Sequence, residues 1–312
     1  MLSGPSVNIL LSVYNGEKYL ATQLDSLLAQ TYRNITIYIR DDASKDSSMS
    51  ILQAYEQKNL SSQDIRIVLL KNSKHENLGY MGSFWTLLRE SKPADYYAFC
   101  DQDDFWLPEK VERGVRTLEK ENADLPLLYS SSFIYCDAEL NFRENPPVMN
   151  MPIRFKDVLF YTPAFGFTVM INRTLRELAL SASSLTDIPH DGWCQKIAAS
   201  MGKFVYDPMQ TAKYRRHSAT VTYVGTGIWK MIGQWLKNDI FGSGLSENRF
   251  VLKRFYEEYG DRLGEPEHSW LDLFREKPVT LEVYWKRLFF PERLRPTIGG
   301  EIALRGCFLG NR

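Results

Sequence analysis

Three aspartates within four positions give the strongest chemical signal in this sequence. They belong to CDQDDFW, residues 100–106, which ends an apolar segment with the character of a buried strand. Neighbouring carboxylates repel one another, and a divalent cation whose shell is completed by a diphosphate relieves that repulsion. In an extended segment Asp101 and Asp103 point in different directions, so one can face a ribose and the other a metal. The alternative is a solvated acidic loop in which Asp104 caps the next helix.

A second acidic motif is RDDASKD, residues 40–46, which follows another strand-like segment. A carboxylate at a strand end can accept a hydrogen bond from a ring N–H, such as the imide of uracil or thymine. The structural interpretation, which does not exclude the first, is that Asp42 or Ser44 caps the following helix. YNGE, residues 14–17, is mostly a turn by itself, although its backbone groups could contact a base or a phosphate.

Asp191 lies in IPHDGW, residues 188–193, where an amphipathic helix begins. It either caps that helix or acts as a general base that takes a proton from an acceptor hydroxyl. A carboxylate near the N-terminal end of a helix and a metal keeps a low pKa, so it would be ionised at neutral pH. We expect the neighbouring His190 to be a packed side chain rather than a ligand.

The motif YRRHSAT, residues 214–220, offers two arginines and a histidine. Arg215 and Arg216 either pair with a diphosphate or lie on an exposed edge. His217 is a candidate metal ligand or phosphate contact. The sequence contains no glycine-rich P-loop, no dinucleotide-binding glycine motif and no nucleophile elbow, which disfavours those three kinds of site.

The elements that must position these side chains alternate between strand and helix. Apolar or β-branched runs predict strands at residues 7–14, 34–40, 65–70 and 95–100, with amphipathic segments between them. Such alternation requires crossover connections and predicts an α/β fold with a mostly parallel central sheet flanked by helices. Ligands of such sheets bind at the carboxyl edge of the strands, so the acidic motifs should meet there.

The chain changes character twice after this region. The middle section mixes two helical segments with short strands, among them KFVYD at 203–207 and TAKYRRH at 211–217. Tryptophan-bearing, helix-like segments follow from about residue 225. We therefore predict a first domain at 1–223 and a C-terminal helical region at 224–312, which could contact a membrane surface or a second copy in a homodimer.

Composition excludes several classes of protein. The 312 residues include 38 basic and 38 acidic side chains, so no overall field attracts nucleic acid, and we expect no nucleic-acid partner. Four scattered cysteines favour reduced thiols over a disulfide framework. Residues 7–14 have the pattern of a strand rather than a signal peptide, and no segment reaches the ~18 to 20 apolar residues that span a bilayer. We expect a cytoplasmic protein, at most peripheral at the inner face of the membrane.

Together the motifs resemble the family-2 glycosyltransferases of the GT-A (Rossmann-like) fold over residues 6–222. The RDDASKD segment is similar to that family's D-D-G-S-x-D motif, with Ala43 in place of the glycine. The form DQDDFW is most similar to bacterial rhamnosyltransferases that build streptococcal-type polysaccharides. In that subgroup the position of Phe167 is more often a small residue, which predicts an altered acceptor-side pocket.

The resemblance implies an inverting, metal-dependent transfer from a nucleoside-diphosphate sugar, with Mn²⁺ or Mg²⁺ as cofactor. It makes Asp191 the catalytic base and Asp103 a metal ligand, and it places His217 near the diphosphate, where we take it as the second candidate metal ligand. Donor contacts, to which we add Gln102 between the two acids, are expected from Tyr14, Asn15, Glu17, Asp41, Asp42, Asp101 and Gln102.

The partners that the resemblance implies are a dTDP-rhamnose donor and a lipid-linked glycan acceptor for cell-wall or capsule synthesis. The first alternative is a UDP-hexose donor, because no motif encodes donor choice. The second is a nucleotidyltransferase, which would normally carry a glycine-rich phosphate loop after its first strand; NGEKY is a poor one.

Overall fold

The structure, a computed structural model, describes residues 4–62, 64–149, 151–217, 244–276 and 280–309. Its strands form one sheet with the order β3-β2-β1-β4-β8-β6-β9-β5, and β7 pairs with β6. The strands are β1 (Val7–Val13), β2 (Ile35–Asp41), β3 (Ile65–Leu69), β4 (Tyr96–Cys100), β5 (Phe105–Trp106), β6 (Leu127–Cys136), β7 (Phe142–Glu144), β8 (Val169–Asn172) and β9 (Lys203–Arg215).

Helices alternate with the first strands and follow the last one. They are α1 (Leu20–Leu28), α2 (Ser48–Asn59), α3 (Gly79–Glu90), α4 (Lys110–Leu118), α5 (Arg173–Leu180), α6 (His190–Met201), α7 (Gly244–Tyr259), α8 (Glu267–Phe274), α9 (Leu281–Leu288) and α10 (Ile298–Leu309). Short 3₁₀ helices occur at Phe155–Val158, Gly166–Thr168 and Gly260–Arg262.

The first four strands form the parallel half of the sheet, as predicted. Val7 of β1 is aligned with Ile35 of β2 on one side and with Tyr96 of β4 on the other. Parallel neighbours need crossover connections, which α1, α2 and α3 supply along the chain. Because β1 is covered on both faces, its residues are almost all buried, which explains the continuous apolar run.

The second half of the sheet is mixed. β8 runs antiparallel between β4 and β6, whereas β6 and β9 pair in parallel. The short strands β5 and β7 add antiparallel partners to β9 and β6. The predicted α/β class is confirmed, with the antiparallel strands confined to the part of the sheet beyond β4.

The prediction of two short strands from KFVYD and TAKYRRH was wrong, because β9 is continuous through both. Its register against β6 jumps from the pair Ser131–Asp207 to the pair Ser132–Gln210. The jump leaves Pro208 in a bulge. Proline has no N–H to donate to a ladder, and the bulge lets the strand continue past it.

The chain separates into two compact units. The first holds the sheet and comprises residues 1–149, 164–198 and 202–220; the second comprises 150–163, 199–201 and 221–312. The domain boundary predicted near residue 224 lies outside the described residues. The sequence patterns also gave no sign that residues 150–163 group with the C-terminal helices.

Aromatic packing forms the core of the second unit. Phe160 contacts the rings of Phe274 and Phe308, with centroids 5.2 and 5.5 Å away. Phe155 packs against Phe255 of α7 with centroids 5.9 Å apart. These contacts explain why the segment before Pro163 belongs to this unit despite its distance along the chain.

Two expectations concern cysteines and membrane spans. No disulfide joins the four cysteines, all of which are described and buried. None of the helices within the described ranges is long and apolar enough to cross a bilayer.

Candidate functional site

The carboxyl ends of β1, β2 and β4 lie side by side, because these strands are parallel neighbours. The register sets Val13 of β1 beside Asp41 of β2, and Leu11 of β1 beside Cys100 of β4. The segments that leave these three strands carry three of the predicted motifs. They therefore meet at one edge of the sheet.

Hydrogen bonds join the loop after β1 to the loop after β2. Asn15 has a left-handed backbone with φ 49°, and its Oδ1 accepts the Lys45 N–H at 2.8 Å. The Asn15 N–H donates to Ser44 Oγ at 2.9 Å, and Glu17 Oε2 accepts the Ser47 N–H at 2.9 Å. Asn15 and Glu17 thus hold the two loops together. Their direct contact with a donor stays a prediction.

Gln102 ties the loop after β4 to the loop after β1. Its Oε1 accepts the Tyr14 N–H at 2.8 Å, and its Nε2 donates to the Tyr14 carbonyl at 2.9 Å. A Cβ at Gly16 would overlap the Gln102 side-chain oxygen, so glycine is needed for this approach. The Tyr14 side chain is exposed at the same edge. Gln102 therefore fixes the loop that presents Tyr14, while donor contacts of both residues stay predictions.

Asp41 has one satisfied and one unsatisfied carboxylate oxygen. Oδ2 accepts the Ser44 N–H at 3.0 Å, whereas the buried Oδ1 meets no hydrogen-bond partner among the described residues. Leaving a buried carboxylate oxygen unpaired costs about 1–3 kcal/mol. A ligand N–H at this position would remove that cost, so Asp41 is suited to accept from a base.

Asp42 is buried and lies in a different environment. Its carboxylate forms an ion pair with buried Arg40 and accepts the Leu78 N–H at 2.8 Å. Its carbonyl accepts from Asn77 Nδ2 at 3.0 Å. Asp42 therefore anchors the segment that leads into α3. A direct contact between Asp42 and a donor stays a prediction, and its observed contacts favour a supporting role.

The capping alternative for the second motif was wrong. α2 begins at Ser48, and Asp46 Oδ1 accepts the Ser48 N–H at 2.9 Å. Ser44 instead donates its own N–H to Asp41 and accepts from Asn15. Asp42 and Ser44 therefore make their contacts at the edge of the sheet, before α2 begins, and neither of them caps that helix.

The capping alternatives for the other two motifs also fail. α4 begins at Lys110, six residues after Asp104, and Asp104 is buried rather than solvated. Asp191 lies in the first turn of α6, after the N-cap position at Pro189, and its Oδ1 accepts the adjacent Gly192 N–H at 2.8 Å. Both carboxylates are thus available for roles other than helix capping.

The charges of Asp103 and Asp191 both act on Asp101. Burial raises the pKa of Asp101 above its ordinary value, and the negative charges of Asp103 and Asp191 raise it further. Charges perturb a pKa in this way only when they lie close together. The structure therefore brings Asp191 of α6 to the acids that follow β4, although almost ninety residues separate them along the chain.

His217 meets Asp103 directly. Its Nε2 lies 2.8 Å from Asp103 Oδ2, and both side chains are mostly buried. Within the described ranges, no group of three or more His, Cys, Asp or Glu side chains is arranged to hold a metal ion. Asp103 and His217 thus offer one oxygen and one nitrogen toward a cation, and the metal-ligand role of both stays a prediction.

The exposed-edge alternative for Arg215 was wrong. Arg215 is buried, and its Nε donates to the Asp103 carbonyl at 2.8 Å. Its backbone N–H donates to Asp104 Oδ1 at 3.3 Å, and its Nη1 donates to the Ala138 carbonyl. Arg215 therefore fixes the backbone of the acidic motif, and its pairing with a diphosphate stays a prediction.

Arg216 pairs with an acid of the short strand β7. Its Nη1 lies 2.6 Å from Glu144 Oε1, and its guanidinium lies 3.5 Å from the centre of the Tyr135 ring. The Glu144 side chain is exposed, so this pair sits at the edge of the sheet. The edge interpretation fits these contacts, and pairing of Arg216 with a diphosphate stays a prediction.

His190 is a packed neighbour of the candidate base, as expected. Its ring centroid lies 4.2 Å from that of Phe84 and 4.5 Å from that of Phe99. Burial lowers its pKa to about 4, so the imidazole is neutral near pH 7. A Cβ at Gly166 would lie 3.2 Å from His190 Nε2 and 3.7 Å from Asp191 Cβ. Glycine at 166 thus lets its loop lie close to the base.

Lys196 is a buried basic group that sequence reasoning missed. Burial lowers its pKa to about 8, while the charge of Asp191 opposes that shift. The available signal was its position on an otherwise apolar, buried stretch of α6, five residues after Asp191.

The altered acceptor pocket predicted from Phe167 is not supported. The Phe167 ring is buried and stacks on Tyr214, with centroids 5.2 Å apart and planes at 5°. Phe133 and Phe165 complete this cluster of aromatic rings. The large side chain fills the core beneath the loop instead of lining an open pocket.

Ala43 has the left-handed backbone conformation, with φ 64°, where the resemblance has glycine. Strain of alanine in this conformation lowers stability by about 1–2 kcal/mol. Glycine avoids that strain but lowers stability by about 0.4–1 kcal/mol, because it has more conformational freedom in the unfolded chain. We predict that Ala43→Gly raises the free energy of unfolding by about 0.5–1 kcal/mol. Urea denaturation followed by circular dichroism measures this. Ala21→Gly within α1 is the control and should destabilise; a destabilised Ala43→Gly variant would contradict the strain argument.

Comparison with known proteins identifies the family and the fold. Residues 8–179, more than half of the chain, match the model of “Glycosyl transferase family 2”. An uncharacterised glycosyltransferase of Rickettsia typhi is 32% identical over 44% of the chain and 37% of its own length. The chain thus spans well under half of that relative.

Two relatives with named activities are matched over larger shares. The dTDP-rhamnosyl transferase RfbG of Shigella flexneri is 32% identical over 80% of this chain and 89% of its own. WfaP of Escherichia coli, described as a UDP-Glc:α-D-GlcNAc-diphosphoundecaprenol β-1,3-glucosyltransferase, is 30% identical over 54% of this chain and 61% of its own.

Solved structures share the fold at low sequence identity. Staphylococcus aureus TarS 1–349 with UDP-GlcNAc superposes with a TM-score of 0.55 at 14% identity, covering 98% of this chain and 91% of that one. Mannosyltransferase PcManGT from Pyrobaculum calidifontis, with GDP-Man and Mn²⁺, gives 0.53 at 15% identity, covering 99% and 87%. The GT-A class is thereby confirmed. Together with the family match and the relative from Shigella, this shows that the chain belongs to glycosyl transferase family 2.

Proposed function

We propose that this protein is an inverting, metal-dependent glycosyltransferase that moves rhamnose from dTDP-rhamnose onto a hydroxyl of a lipid-linked cell-wall or capsular glycan precursor. The activity belongs to residues 1–223, and 224–312 form a C-terminal helical region. The observation that carries the proposal is that the charges of Asp103 and Asp191, which belong to two distant motifs, both act on Asp101. A transferase needs both a donor-binding acid and a base at one point.

Asp41 supports recognition of a pyrimidine nucleotide. Its buried Oδ1 has no hydrogen-bond partner in the described part of the chain, so an N–H group of the nucleotide base would satisfy it. Uracil and thymine both carry an imide N–H, so this contact suits dTDP and UDP alike. Asn15 and Glu17 join the loops on either side of the expected base and ribose, and the exposed Tyr14 can contact the base.

The chemistry of Asp103 and His217 fits a divalent cation. Asp103 Oδ2 and His217 Nε2 lie 2.8 Å apart, so the two side chains would be available to hold one ion at this point. Mg²⁺ and Mn²⁺ sites commonly take their remaining ligands from substrate phosphates and water. When bound, such an ion neutralises charge that develops on the departing diphosphate.

Asp191 supplies the base of a single displacement. Its carboxylate takes the proton of the acceptor hydroxyl as that oxygen bonds to the anomeric carbon of the donor. The bond between that carbon and the diphosphate oxygen breaks, and its electron pair leaves with the nucleoside diphosphate. Neutral His190 cannot neutralise the base by forming an ion pair with it. No second carboxylate is needed, because no covalent intermediate forms.

The relatives favour rhamnose but keep one alternative open. The name of RfbG supports a dTDP-rhamnose donor, whereas those of WfaP and the TarS complex support UDP-sugars. The name of WfaP also supports a lipid-linked acceptor. A nucleotidyltransferase has no support among these relatives.

A thermal-shift panel tests the proposed donor. The full chain is heated with dTDP-rhamnose, UDP-glucose or GDP-mannose, each with and without Mn²⁺. Binding to the native state alone raises Tm. We expect the largest rise with dTDP-rhamnose plus Mn²⁺ and little with the purine nucleotide. A larger rise in Tm with UDP-glucose would identify a UDP-sugar, rather than dTDP-rhamnose, as the donor. No rise with any nucleotide would contradict the proposed function.

A further inference from the structure

An apolar stripe runs along the exposed side of α9. Leu281, Trp285 and Phe289 are spaced four residues apart and are 47–74% exposed. Residues at this spacing lie on one face of a helix. The Trp285 and Phe289 rings stack with centroids 5.5 Å apart. The stripe therefore presents large apolar side chains that the second unit does not bury.

α10 carries a second pair of exposed apolar residues. Ile298 and Ile302 are also four residues apart and are 69% and 68% exposed. We call these five residues of α9 and α10 the apolar face. Groups of large apolar side chains that stay exposed to water mark sites of contact with a partner or a membrane.

Arg305 joins α9 to α10. Its Nη1 donates to the carbonyls of Arg287 and Leu288 at 2.9 and 2.8 Å, and its Nη2 donates to those of Phe290 and Glu292 at 3.0 and 2.9 Å. The Arg287 and Leu288 carbonyls lie at the end of α9 and would otherwise need other donors. The two helices that carry the apolar face are thus held together before any partner binds.

The local net charge favours an anionic membrane over a second copy of this chain as the partner of the apolar face. Residues 281–309, which span α9 and α10, contain five Lys or Arg and three Glu, a net charge of 5 − 3 = +2, in a chain whose net charge is zero. Lys286 and Arg293 are exposed, and Lys286 pairs with Glu282 at 2.6 Å. A second copy of these two helices would bring +2 against +2, which disfavours self-association through the apolar face.

We propose that the apolar face docks on a bilayer surface that contains anionic lipids. Tryptophan and phenylalanine enter the boundary between headgroups and acyl chains, while basic side chains contact the anionic headgroups. This docking does not depend on the proposed sugar donor or on the chemistry of Asp191. Its failure would leave the proposed transferase activity standing.

Vesicle co-sedimentation of the full chain tests this inference. Vesicles of phosphatidylcholine alone are compared with vesicles that also contain phosphatidylglycerol. We expect binding that is stronger with the anionic vesicles and that weakens as salt is added. The double variant Trp285→Ser, Phe289→Ser should lower the partition coefficient at least about tenfold, because two aromatic side chains no longer leave water.

Phe142→Ser is the matched control. Phe142 is a phenylalanine of β7 in the first unit and is 63% exposed, so its loss should not change vesicle binding. Circular dichroism establishes that both variants are folded. Equal weakening by the control, or unchanged binding of the double variant, would overturn the inference. So would a wild-type chain that ignores both vesicles and instead forms a dimer that the double variant abolishes.

Discussion

Asp191→Asn is expected to abolish sugar transfer while donor binding survives. Asparagine keeps the shape of the side chain and an oxygen that can accept the Gly192 N–H, which Asp191 Oδ1 accepts at 2.8 Å. It cannot take the acceptor proton, and loss of a general base lowers kcat by about 10²–10⁴-fold. Release of the nucleoside diphosphate in the presence of acceptor measures kcat, and isothermal titration measures donor affinity.

The control for this variant is Asp187→Asn. Asp187 is an exposed aspartate four residues earlier, and asparagine tolerates its left-handed backbone, φ 60°, equally well. Its turnover should equal that of the wild type. If Asp191→Asn kept normal turnover, Asp191 would not be the base. If it lost donor binding as well as turnover, the residue would belong to the donor site instead.

Asp103→Asn is expected to remove the metal dependence of donor binding together with activity. The change deletes a negative charge beside His217, whose Nε2 lies 2.8 Å from Asp103 Oδ2. A cation at this point would stabilise the charge that develops on the diphosphate by several kcal/mol, so its loss should lower kcat/KM by about 10³-fold. Donor titrations with Mn²⁺ and after chelation measure the effect. For the wild type, Mn²⁺ should strengthen binding; for the variant, it should not.

Asp124→Asn is the matched control for this change. Asp124 is exposed and precedes β6, away from the predicted motifs in the sequence. Its removal should leave both the Mn²⁺ effect and kcat/KM as in the wild type. An Asp103→Asn variant whose donor binding still responded to Mn²⁺ would place the metal elsewhere.

The parallel half of the sheet was predictable because its signals are local. The continuous apolar run of β1 and the amphipathic segment after it reflect burial on both faces of a parallel sheet. Parallel strands then bring their carboxyl ends together without further information, which explains why Asp41 and Asp101 could be assigned to one edge.

The contacts that hold the site were not predictable, because they join residues far apart in the chain. Arg215 reaches the Asp103 carbonyl across 112 residues, and no spacing or composition encodes that contact. Asp42 and Asp41 are adjacent and chemically identical, yet one pairs with Arg40 and the other keeps an unpaired oxygen. Only the fold distinguishes them, since β alternation turns neighbouring side chains to opposite faces.

Anomalous scattering from crystals grown with Mn²⁺ and dTDP tests the central claim most directly. The account predicts a manganese peak between Asp103, His217 and the diphosphate, with the Asp191 carboxylate facing the same cavity from the start of α6. A manganese ion bound away from Asp103, or a nucleotide whose diphosphate lies away from Asp191, would contradict it.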